Sequence, residues 1–225
     1  MNYDIVFLLE ESSIENVLNE LLPKLIPPEI RYKCISNQGK QDLAKSIPIK
    51  LKAFNKSSPN TKFIIVHDQD YHDCQKLKKD LGQICQNSSD AQVLIRIICH
   101  ELESWFLGDL AAVAKAYNLN SLGQKQNKSK YREPDRLNSA KQELKKLVKE
   151  YYAGTHSKQI APHLSLTENK SRSFQTFIQG IKNVVEMIGS SRFCVISLTY
   201  NMIDQSLCPL CLCGSFHSLA SSTVS

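Results

Sequence analysis

The sequence predicts an α/β fold in which a mainly parallel sheet of about four strands carries helices on both faces and is followed by C-terminal helices. Four short apolar runs have the length and composition of strands, over residues 3–9, 31–35, 62–67 and 92–98. Each run precedes a stretch in which apolar residues recur every three or four positions, which is the spacing of one helical face. Strands that alternate with helices and are buried on both faces are typical of a parallel sheet.

The helix predicted after each strand follows from the positions of its apolar residues. These helical patterns cover residues 14–25, 43–54, 74–85 and 102–117. Ser12 or Ser13 is expected to cap the first helix, because short polar side chains satisfy the free N–H groups at a helix start. Pro23 lies inside the first pattern and has no N–H to donate, so the helix is expected to end or kink there.

The rest of the chain predicts a C-terminal helical part and a tail. Its elements are a polar loop over 118–131, a charged helix over about 134–152, a loop through residue 162 and an amphipathic helix over 174–188. The expected division is an α/β core over 1–117, a basic loop and helices packed on it over 118–188, and a Cys- and Ser-rich tail over 189–225.

Length and composition exclude several classes of protein. The chain has 225 residues, of which 42% are hydrophobic and 22% charged, as expected for one globular domain with an insertion or tail. No apolar run is long enough to span a bilayer, and the first residues show no secretory signal, so a cytoplasmic protein without membrane association is expected. The absence of a P-loop motif and of a nucleophile-elbow motif argues against a P-loop NTPase and a serine hydrolase.

Positive charge is concentrated in one segment of the chain. The formal net charge is +6, and residues 125–149 contain nine basic residues against three acidic ones. Such a segment can follow a nucleic-acid backbone through salt-sensitive contacts with its phosphates. A solvated helix face with pairs of opposite charge four residues apart has the same composition, so both interpretations stay open.

Acidic residues follow three of the four predicted strands. They are Glu10 and Glu11 after the first strand, Asp68 and Asp70 after the third, and Glu101 and Glu103 after the fourth. Ligands of an open parallel sheet bind beyond the carboxyl ends of its strands. Carboxylates gathered there repel one another unless a cation compensates for their charge, and hard oxygen ligands suit Mg²⁺ or Mn²⁺. In this prediction the first four residues form the catalytic group and the last four hold the metal ion.

The same acids also have a structural explanation. Asp and Glu are common at strand ends, because turns and helix N-termini favour them. If a helix starts at residue 100, Glu101 and Glu103 diverge and cannot both face the crevice, whereas both can if the strand continues. Three acidic clusters at one edge favour the functional interpretation over the structural one.

Gly39 and Lys40 lie between the second strand and its helix. Amide groups at a helix start, together with the ammonium group of Lys40, can hold a phosphate. A turn glycine before a solvated lysine is the alternative. We therefore expect Gly39 and Lys40 to be the phosphate-binding residues if the acidic edge is a catalytic site.

Several motifs, taken in order, resemble a known family. They are FLLEESSIENVLNELLPKLIP, NQGKQDL, VHDQDYHDC, ICHELESWFLGD, EPDRL and SRSFQTF. Together they are similar, over residues 3–180, to the prokaryotic Toprim-like family called domain of unknown function 4276. A Glu after the first strand and Asp-x-Asp after a later strand also resemble the Toprim domain of topoisomerases, primases, OLD-family nucleases and small maturation ribonucleases.

The resemblance implies a Toprim-like (Rossmann-like) fold, a Toprim-type Mg²⁺ or Mn²⁺ site, and nucleic-acid processing in a prokaryotic defence-type system. We expect a Mg²⁺-dependent nuclease that acts on DNA or RNA. The alternative is a non-catalytic module that binds a nucleotide or nucleic acid as the partner of an ATPase. Toprim proteins carry Glu-Gly after the first strand, whereas Glu11 follows Glu10 here, so either is a candidate for the Toprim acid, and distance from Ser13 favours Glu10.

The cysteines near the end of the chain are a separate motif. Cys208-x-x-Cys211-x-Cys213, with Cys194 and His217 nearby, supplies enough ligands for a zinc ion. Only one Cys-x-x-Cys pair is present, whereas structural zinc sites usually have two paired knuckles. A tail without zinc is therefore the preferred interpretation.

Overall fold

The computed structural model describes residues 2–193 and confirms the predicted α/β architecture. Its strands are β1 (Ile5–Leu9), β2 (Tyr32–Ser36), β3 (Lys62–Asp68) and β4 (Val93–Ile98). They form a sheet of order β2-β1-β3-β4 in which every pair of neighbours is parallel. The two strands that carry most of the predicted catalytic acids, β1 and β3, are therefore the central neighbours of the sheet.

Helices lie between and after these strands as expected for an α/β fold. In the described residues they are α1 (Ser12–Leu21), α2 (Lys40–Ser57), α3 (Cys74–Gln86), α4 (Glu103–Leu107), α5 (Leu110–Tyr117), α6 (Ser129–Arg132), α7 (Ala140–Leu147), α8 (Ala153–Ile160) and α9 (Arg172–Phe193). Short 3₁₀ turns cover Leu22–Lys24, Gly123–Asn127, Pro134–Arg136 and Ala161–His163.

The two faces of the sheet bury separate apolar clusters. Ile5, Phe7 and Leu9 of β1 belong to the cluster that includes α1, α4, α5 and α7 to α9. Val6 and Leu8, which alternate with them, belong to the cluster formed with α2 and α3. All five side chains are fully buried. Because side chains alternate across a strand, this arrangement explains why β1 is apolar along its whole length.

The start of α1 differs from the prediction. Its N-cap is Glu11, in an extended conformation, and not Ser12 or Ser13. Ser13 is already inside the helix, where its hydroxyl donates to the Glu11 carboxylate. The helix ends at Leu21, and a 3₁₀ turn that contains Pro23 follows it, which confirms the predicted effect of the proline.

The fourth predicted helix is two helices, α4 and α5, separated by Gly108 and Asp109. The Asp109 carboxylate accepts hydrogen bonds from the N–H groups of Ala112 at 2.9 Å and of Ser165 at 2.8 Å. The first bond caps α5 and the second attaches it to the C-terminal part of the chain. Apolar periodicity continues across the break and could not indicate it, because the break depends on contacts with residues far along the chain.

The C-terminal part contains more short helices than predicted. The polar loop includes a 3₁₀ turn and α6, and α8 occupies part of the region predicted as loop. The charged helix α7 begins only at Ala140, because Asp135 before it accepts hydrogen bonds from the Ser171 hydroxyl at 2.7 Å and the Ser173 N–H at 2.8 Å. The sequence of α8 has few apolar residues, which explains why periodicity did not reveal it.

The last helix, α9, confirms the predicted amphipathic helix and covers an aromatic group on one face of the sheet. The Trp105 ring lies 5.2 Å from the Phe174 ring and 5.1 Å from the Phe177 ring, centroid to centroid. The indole N–H of Trp105 donates to the Ser173 hydroxyl at 3.0 Å, so its one polar atom is satisfied in the core. Residues of α7, α8 and α9 thus share one apolar cluster with the sheet.

Within residues 2–193 no helix combines the length and the apolar character needed to cross a bilayer. The cysteine motif formed by Cys194, Cys208, Cys211 and Cys213 lies outside the described residues.

Candidate functional site

Backbone hydrogen bonds at the carboxyl ends of the strands continue beyond the strands themselves. The Glu10 N–H donates to the Val66 carbonyl at 3.2 Å, and the Gly39 N–H donates to the Glu10 carbonyl at 2.9 Å. On the other side, the Asp70 N–H donates to the His100 carbonyl at 2.7 Å. The segments after all four strands therefore lie side by side at one edge, where parallel sheets bind their ligands.

Two residues at this edge have a left-handed backbone. The φ angle is 50° at Asp70 and 56° at His100, a region that residues other than glycine rarely adopt. The bond between them, and a second bond from the His100 N–H to the Gln69 side chain at 3.3 Å, hold the loops after β3 and β4 together. Backbone strain of this kind persists where the surroundings enforce it, and it is common at functional sites.

Asp68, the last residue of β3, is the central acid of this edge. Its Oδ1 atom is buried and has no hydrogen-bond partner in the described part of the chain. Burial raises the pKa of the Asp68 carboxyl well above its ordinary value, and neighbouring carboxylates raise it further. These neighbours are Glu10, Glu11, Glu103 and Asp70. The structure thus brings acids that follow β1, β3 and β4 within electrostatic reach of one another.

Glu10 is held beside Asp68 by a buried ion pair. Its Oε2 atom accepts from the Asp68 N–H at 2.9 Å and lies 3.0 Å from Nδ1 of His67. Burial acts to raise the pKa of Glu10, but the hydrogen bond with His67 and its charge outweigh burial and lower that pKa. Burial acts to lower the pKa of His67, but the bond with Glu10 and its charge raise it. Each partner therefore favours the charged form of the other.

Glu10→Gln is expected to reverse the direction of the His67 pKa shift. Glutamine supplies no negative charge, whereas the imidazole stays buried at 4% exposure, so the pKa should fall from above 6.5 to below it. NMR titration of the imidazole C–H signals of both proteins measures this change. The exposed ring of His163 provides the control signal, which should be the same in both proteins. A His67 pKa that stays above 6.5 in the variant would contradict the role given to Glu10.

The same pair makes stability depend on pH. The stabilisation from the raised pKa of His67 is complete below 6.5 and is lost as the pH rises through the folded-state pKa. The stabilisation from the lowered pKa of Glu10 is present above 4.5 and is lost as the pH falls through its folded-state pKa.

Glu103 is a second buried acid at this edge. It is the first residue of α4 and is 3% exposed. Its Oε1 atom and the hydroxyl of Tyr151 both lack a hydrogen-bond partner of normal geometry among residues 2–193. Burial raises the pKa of Glu103, and burial together with the charge of Glu103 raises the pKa of Tyr151. Glu103 therefore has the Tyr151 hydroxyl as a hydrogen-bonding neighbour, whereas Asp68 presents a carboxyl oxygen that no other described residue satisfies.

The predicted phosphate-binding residues lie next to the acids. The Lys40 ammonium is 3.6 Å from Asp70 Oδ2 and 3.4 Å from Nε2 of His72. Gly39 is the N-cap of α2 and has a φ of 94°, a conformation that glycine adopts without strain. Its N–H already donates to the Glu10 carbonyl, so Gly39 acts here by turning the chain into α2 and placing Lys40 at the edge.

Not every predicted acid faces the same space. The Glu101 carboxylate accepts from the Lys141 N–H at 2.9 Å, near the start of α7, and Glu101 is not among the acids that raise the pKa of Asp68. Glu11 accepts from the Ser13 hydroxyl but remains close enough to act on Asp68. The structure thus brings Glu10, Glu11, Asp68, Asp70 and Glu103 together and turns Glu101 toward a helix start.

The residues at this edge fit a divalent cation by charge and chemistry. In residues 2–193 no three His, Cys, Asp or Glu side chains are already grouped as metal ligands. The buried carboxyl group of Asp68 nevertheless has an oxygen without a partner among these residues. A hard cation satisfies such oxygens and removes the repulsion that raises the pKa of Asp68.

Three residues of this edge have contacts or exposure that could not be predicted from the sequence. His67 is one of them, because its ion pair with Glu10 depends on the pairing of Leu9 with Val66 in the sheet. Tyr151 was not singled out, because its contact with Glu103 joins distant segments. Tyr71 is 88% exposed beside Asp70, and only the structure shows this exposure.

The family model described as a domain of unknown function (DUF4276) matches residues 9–182 of the chain. No match is found among curated proteins or among solved structures. The matched range contains every acid of the edge described above, Lys40 and the first half of α9.

Proposed function

We propose that this chain, which belongs to the DUF4276 family, is a Toprim-like nuclease that uses Mg²⁺ or Mn²⁺ to cleave phosphodiester bonds in DNA or RNA. The observation that carries the proposal is the buried, unsatisfied Oδ1 atom of Asp68, surrounded by four other carboxyl groups at the carboxyl edge of the sheet. A protein that keeps such a repulsive group is expected to use it to bind a cation.

Asp68, Asp70 and Glu103 are the proposed ligands, with Glu10 beside them. A bound cation supplies an activated water and stabilises the charge of the leaving oxygen. The lowered pKa of Glu10 keeps this side chain ionised and makes it a weak base, so the ion pair with His67 suits a fixed ligand better than a proton acceptor. We therefore assign Glu10, rather than Glu11, to the position of the Toprim acid.

Lys40 is the proposed contact for the substrate phosphate. Its side chain is 49% exposed and lies beside Asp70, so its charge is available at the surface of the acidic edge. An incoming phosphodiester brings negative charge toward a group of carboxylates, and a cationic side chain at this point reduces the resulting repulsion. Tyr71 lies next to Asp70 and offers an exposed ring on which a base can stack.

A second candidate is a module that binds a nucleotide or nucleic acid without cleaving it, as the partner of an ATPase. Two observations favour it: Glu10 is already paired with His67, and the described residues contain no preassembled group of three ligands. Binding without product in the presence of Mg²⁺ or Mn²⁺ would distinguish this module from a nuclease.

The test is cleavage of labelled single- and double-stranded DNA and RNA with Mg²⁺, with Mn²⁺ and with chelator. We expect cation-dependent product from the parent chain and at least about tenfold less from Asp70→Asn, because loss of a group at a metal site commonly costs 10–100-fold. Asparagine tolerates the left-handed backbone of residue 70, so the substitution should not disturb the loop.

Asp80→Asn is the matched control, because Asp80 lies exposed on α3 and the change in charge is the same. It should cleave like the parent chain. Titration of Mn²⁺ followed by electron paramagnetic resonance should show tighter binding to the parent chain and to Asp80→Asn than to Asp70→Asn. Cleavage that persists in chelator, or equal activity in all three proteins, would contradict a metal-dependent nuclease at this edge.

A further inference from the structure

A pocket of about 180 Å³ lies outside the acidic edge, between the 3₁₀ turn at Pro134–Arg136 and the start of α9. Its charged lining residues are Arg132, Glu133, Asp135, Arg136, Lys170 and Arg172. Four are cationic and two are anionic, and they come from two segments more than thirty residues apart. The pocket is therefore a concave surface on which positive charge converges from separate parts of the chain.

The two acids of the pocket are already engaged with the protein. Glu133 pairs with Arg136 at 2.9 Å. Both carboxylate oxygens of buried Asp135 accept hydrogen bonds from the segment before and at the start of α9, including those from the Ser171 hydroxyl and the Ser173 N–H. Of the cations, Arg132 uses its Nε atom to bind the Asn127 carbonyl at 3.0 Å. Positive charge remains for a ligand on Arg132, whose partner is a neutral carbonyl, and on the two cations just before and at the start of α9, Lys170 and Arg172.

The backbone that carries these two cations is held in place. The Lys170 N–H donates to the Gly108 carbonyl at 2.8 Å, and the Ser171 N–H donates to the side chain of Asn169 at 2.9 Å. Asn169 and Ser171 are fully buried, whereas Lys170 and Arg172 are exposed. Cations on a fixed backbone lose less freedom on binding, which favours a defined site over a diffuse basic surface.

A backbone contact links the segment that lines the pocket to α4, the helix that begins at the acidic edge. Glu103 opens α4, and Gly108, which contacts Lys170, directly follows this helix. A helix of five residues is only about 7.5 Å long, so a short helix connects the two regions. The segment that carries Lys170 and Arg172 is therefore attached to the helix that begins at the acidic edge.

We propose that this pocket binds a backbone phosphate of the nucleic acid at a position away from the bond that is cleaved. The assignment rests on the proposed nuclease function. It identifies Lys170 and Arg172 as substrate-positioning residues, which act by charge and hydrogen bonding and have no part in the chemistry at the acids.

The test compares Lys170→Ala/Arg172→Ala with Lys52→Ala/Lys56→Ala, a control that removes the same charge from exposed positions on α2. Fluorescence anisotropy with a labelled single-stranded DNA and an RNA of the same sequence, in chelator, measures binding without cleavage. The pocket variant should bind about tenfold more weakly, and its log–log salt slope should be smaller by about 1.4 for two lost contacts. The control should stay close to the parent chain.

A pocket variant that binds like the parent chain, or a control that loses as much affinity, would overturn the proposal. Inorganic phosphate added at constant ionic strength separates the two sources of the anion. If the parent chain binds millimolar phosphate more tightly than the pocket variant does, while both bind the strand equally, the pocket takes a free phosphate and the strand assignment is wrong. We expect no such difference in phosphate binding at that concentration.

The outcome is separable from that of the nuclease proposal, because this assay contains no divalent cation. Weaker binding by the pocket variant, with no cleavage by the parent chain under any cation, would support the pocket and contradict the nuclease. Normal cleavage and normal binding by the pocket variant would support the nuclease and contradict the pocket.

Discussion

Asp68→Asn is expected to abolish metal-dependent cleavage while leaving the chain at least as stable as its parent. Asparagine has the shape of aspartate but cannot supply the negative charge that a cation needs, so activity should fall at least about 100-fold. The variant also loses a carboxyl group whose ionisation is opposed by burial and by four neighbouring acids. An ordinary core substitution would do the opposite and lower the free energy of unfolding.

The effect on stability has a defined dependence on pH. The pKa of Asp68 is raised in the folded state, so the folded chain holds this proton more tightly than the unfolded chain does. The parent chain therefore loses stability as the pH rises from 3.8 through the raised pKa, and the variant does not. The advantage of the variant should appear above 3.8 and become constant once the folded-state pKa has been passed.

Urea unfolding of both proteins at several pH values, together with the cleavage assay, measures these two effects. Asp80→Asn serves again as the control and should change neither the cleavage activity nor the stability. A variant that cleaves like its parent would exclude Asp68 from the site. A variant that is less stable than its parent at neutral pH would show that the Asp68 carboxylate stabilises the fold rather than opposing it.

Gly108→Ala is expected to cause a large loss of stability, whereas Gly154→Ala is not. A Cβ atom at this position would lie 2.1 Å from Oδ1 of Asn169 and 2.8 Å from the Ser171 nitrogen. The Asn169 side chain cannot move away cheaply, because it donates to the Trp105 carbonyl at 2.8 Å and accepts from the Ser171 N–H at 2.9 Å. Overpacking together with broken buried hydrogen bonds should cost about 2–4 kcal/mol.

Thermal unfolding followed by circular dichroism should show this loss as a decrease of about 5–15 °C in Tm. Gly154→Ala in α8 is the matched control, because its Cβ would have no atom within 4 Å. Alanine favours a helix over glycine by about 1 kcal/mol, so the control should be as stable as the parent or more stable. Equal melting of Gly108→Ala and the parent would mean that Asn169 repacks freely.

Most of the sheet could be predicted from the sequence, because strands buried on both faces must be apolar at consecutive positions. The break between α4 and α5 could not. It depends on Asp109, which binds the Ser165 backbone, and on Gly108, which binds that of Lys170. Neither contact changes the apolar periodicity of the helices. The apolar periodicity therefore predicted the helices and strands, whereas polar contacts with distant residues determine where α4 ends and α5 begins.

The gathering of acids at one edge was also predictable, since parallel strands place their carboxyl ends together. What the sequence could not indicate was how each carboxylate is used once it arrives there. Glu10 is next to His67 because Leu9 pairs with Val66, and Glu101 turns to the start of α7 because that helix packs against α4. The parallel topology of the sheet brings the acids to one edge. The strand register and the packing of the helices decide which residue each acid binds.

The order of the strands also bears on how the chain assembles during translation. β1, which is synthesised before the other strands of this sheet, is central, and β2, β3 and β4 each pair with a strand that has already been made. The sheet can therefore grow outward as synthesis proceeds, without waiting for distant segments. The Trp105 ring stays without its contacts to Phe174 and Phe177 until α9 appears, so a nascent chain stalled before residue 172 should expose an aromatic surface to chaperones and proteases.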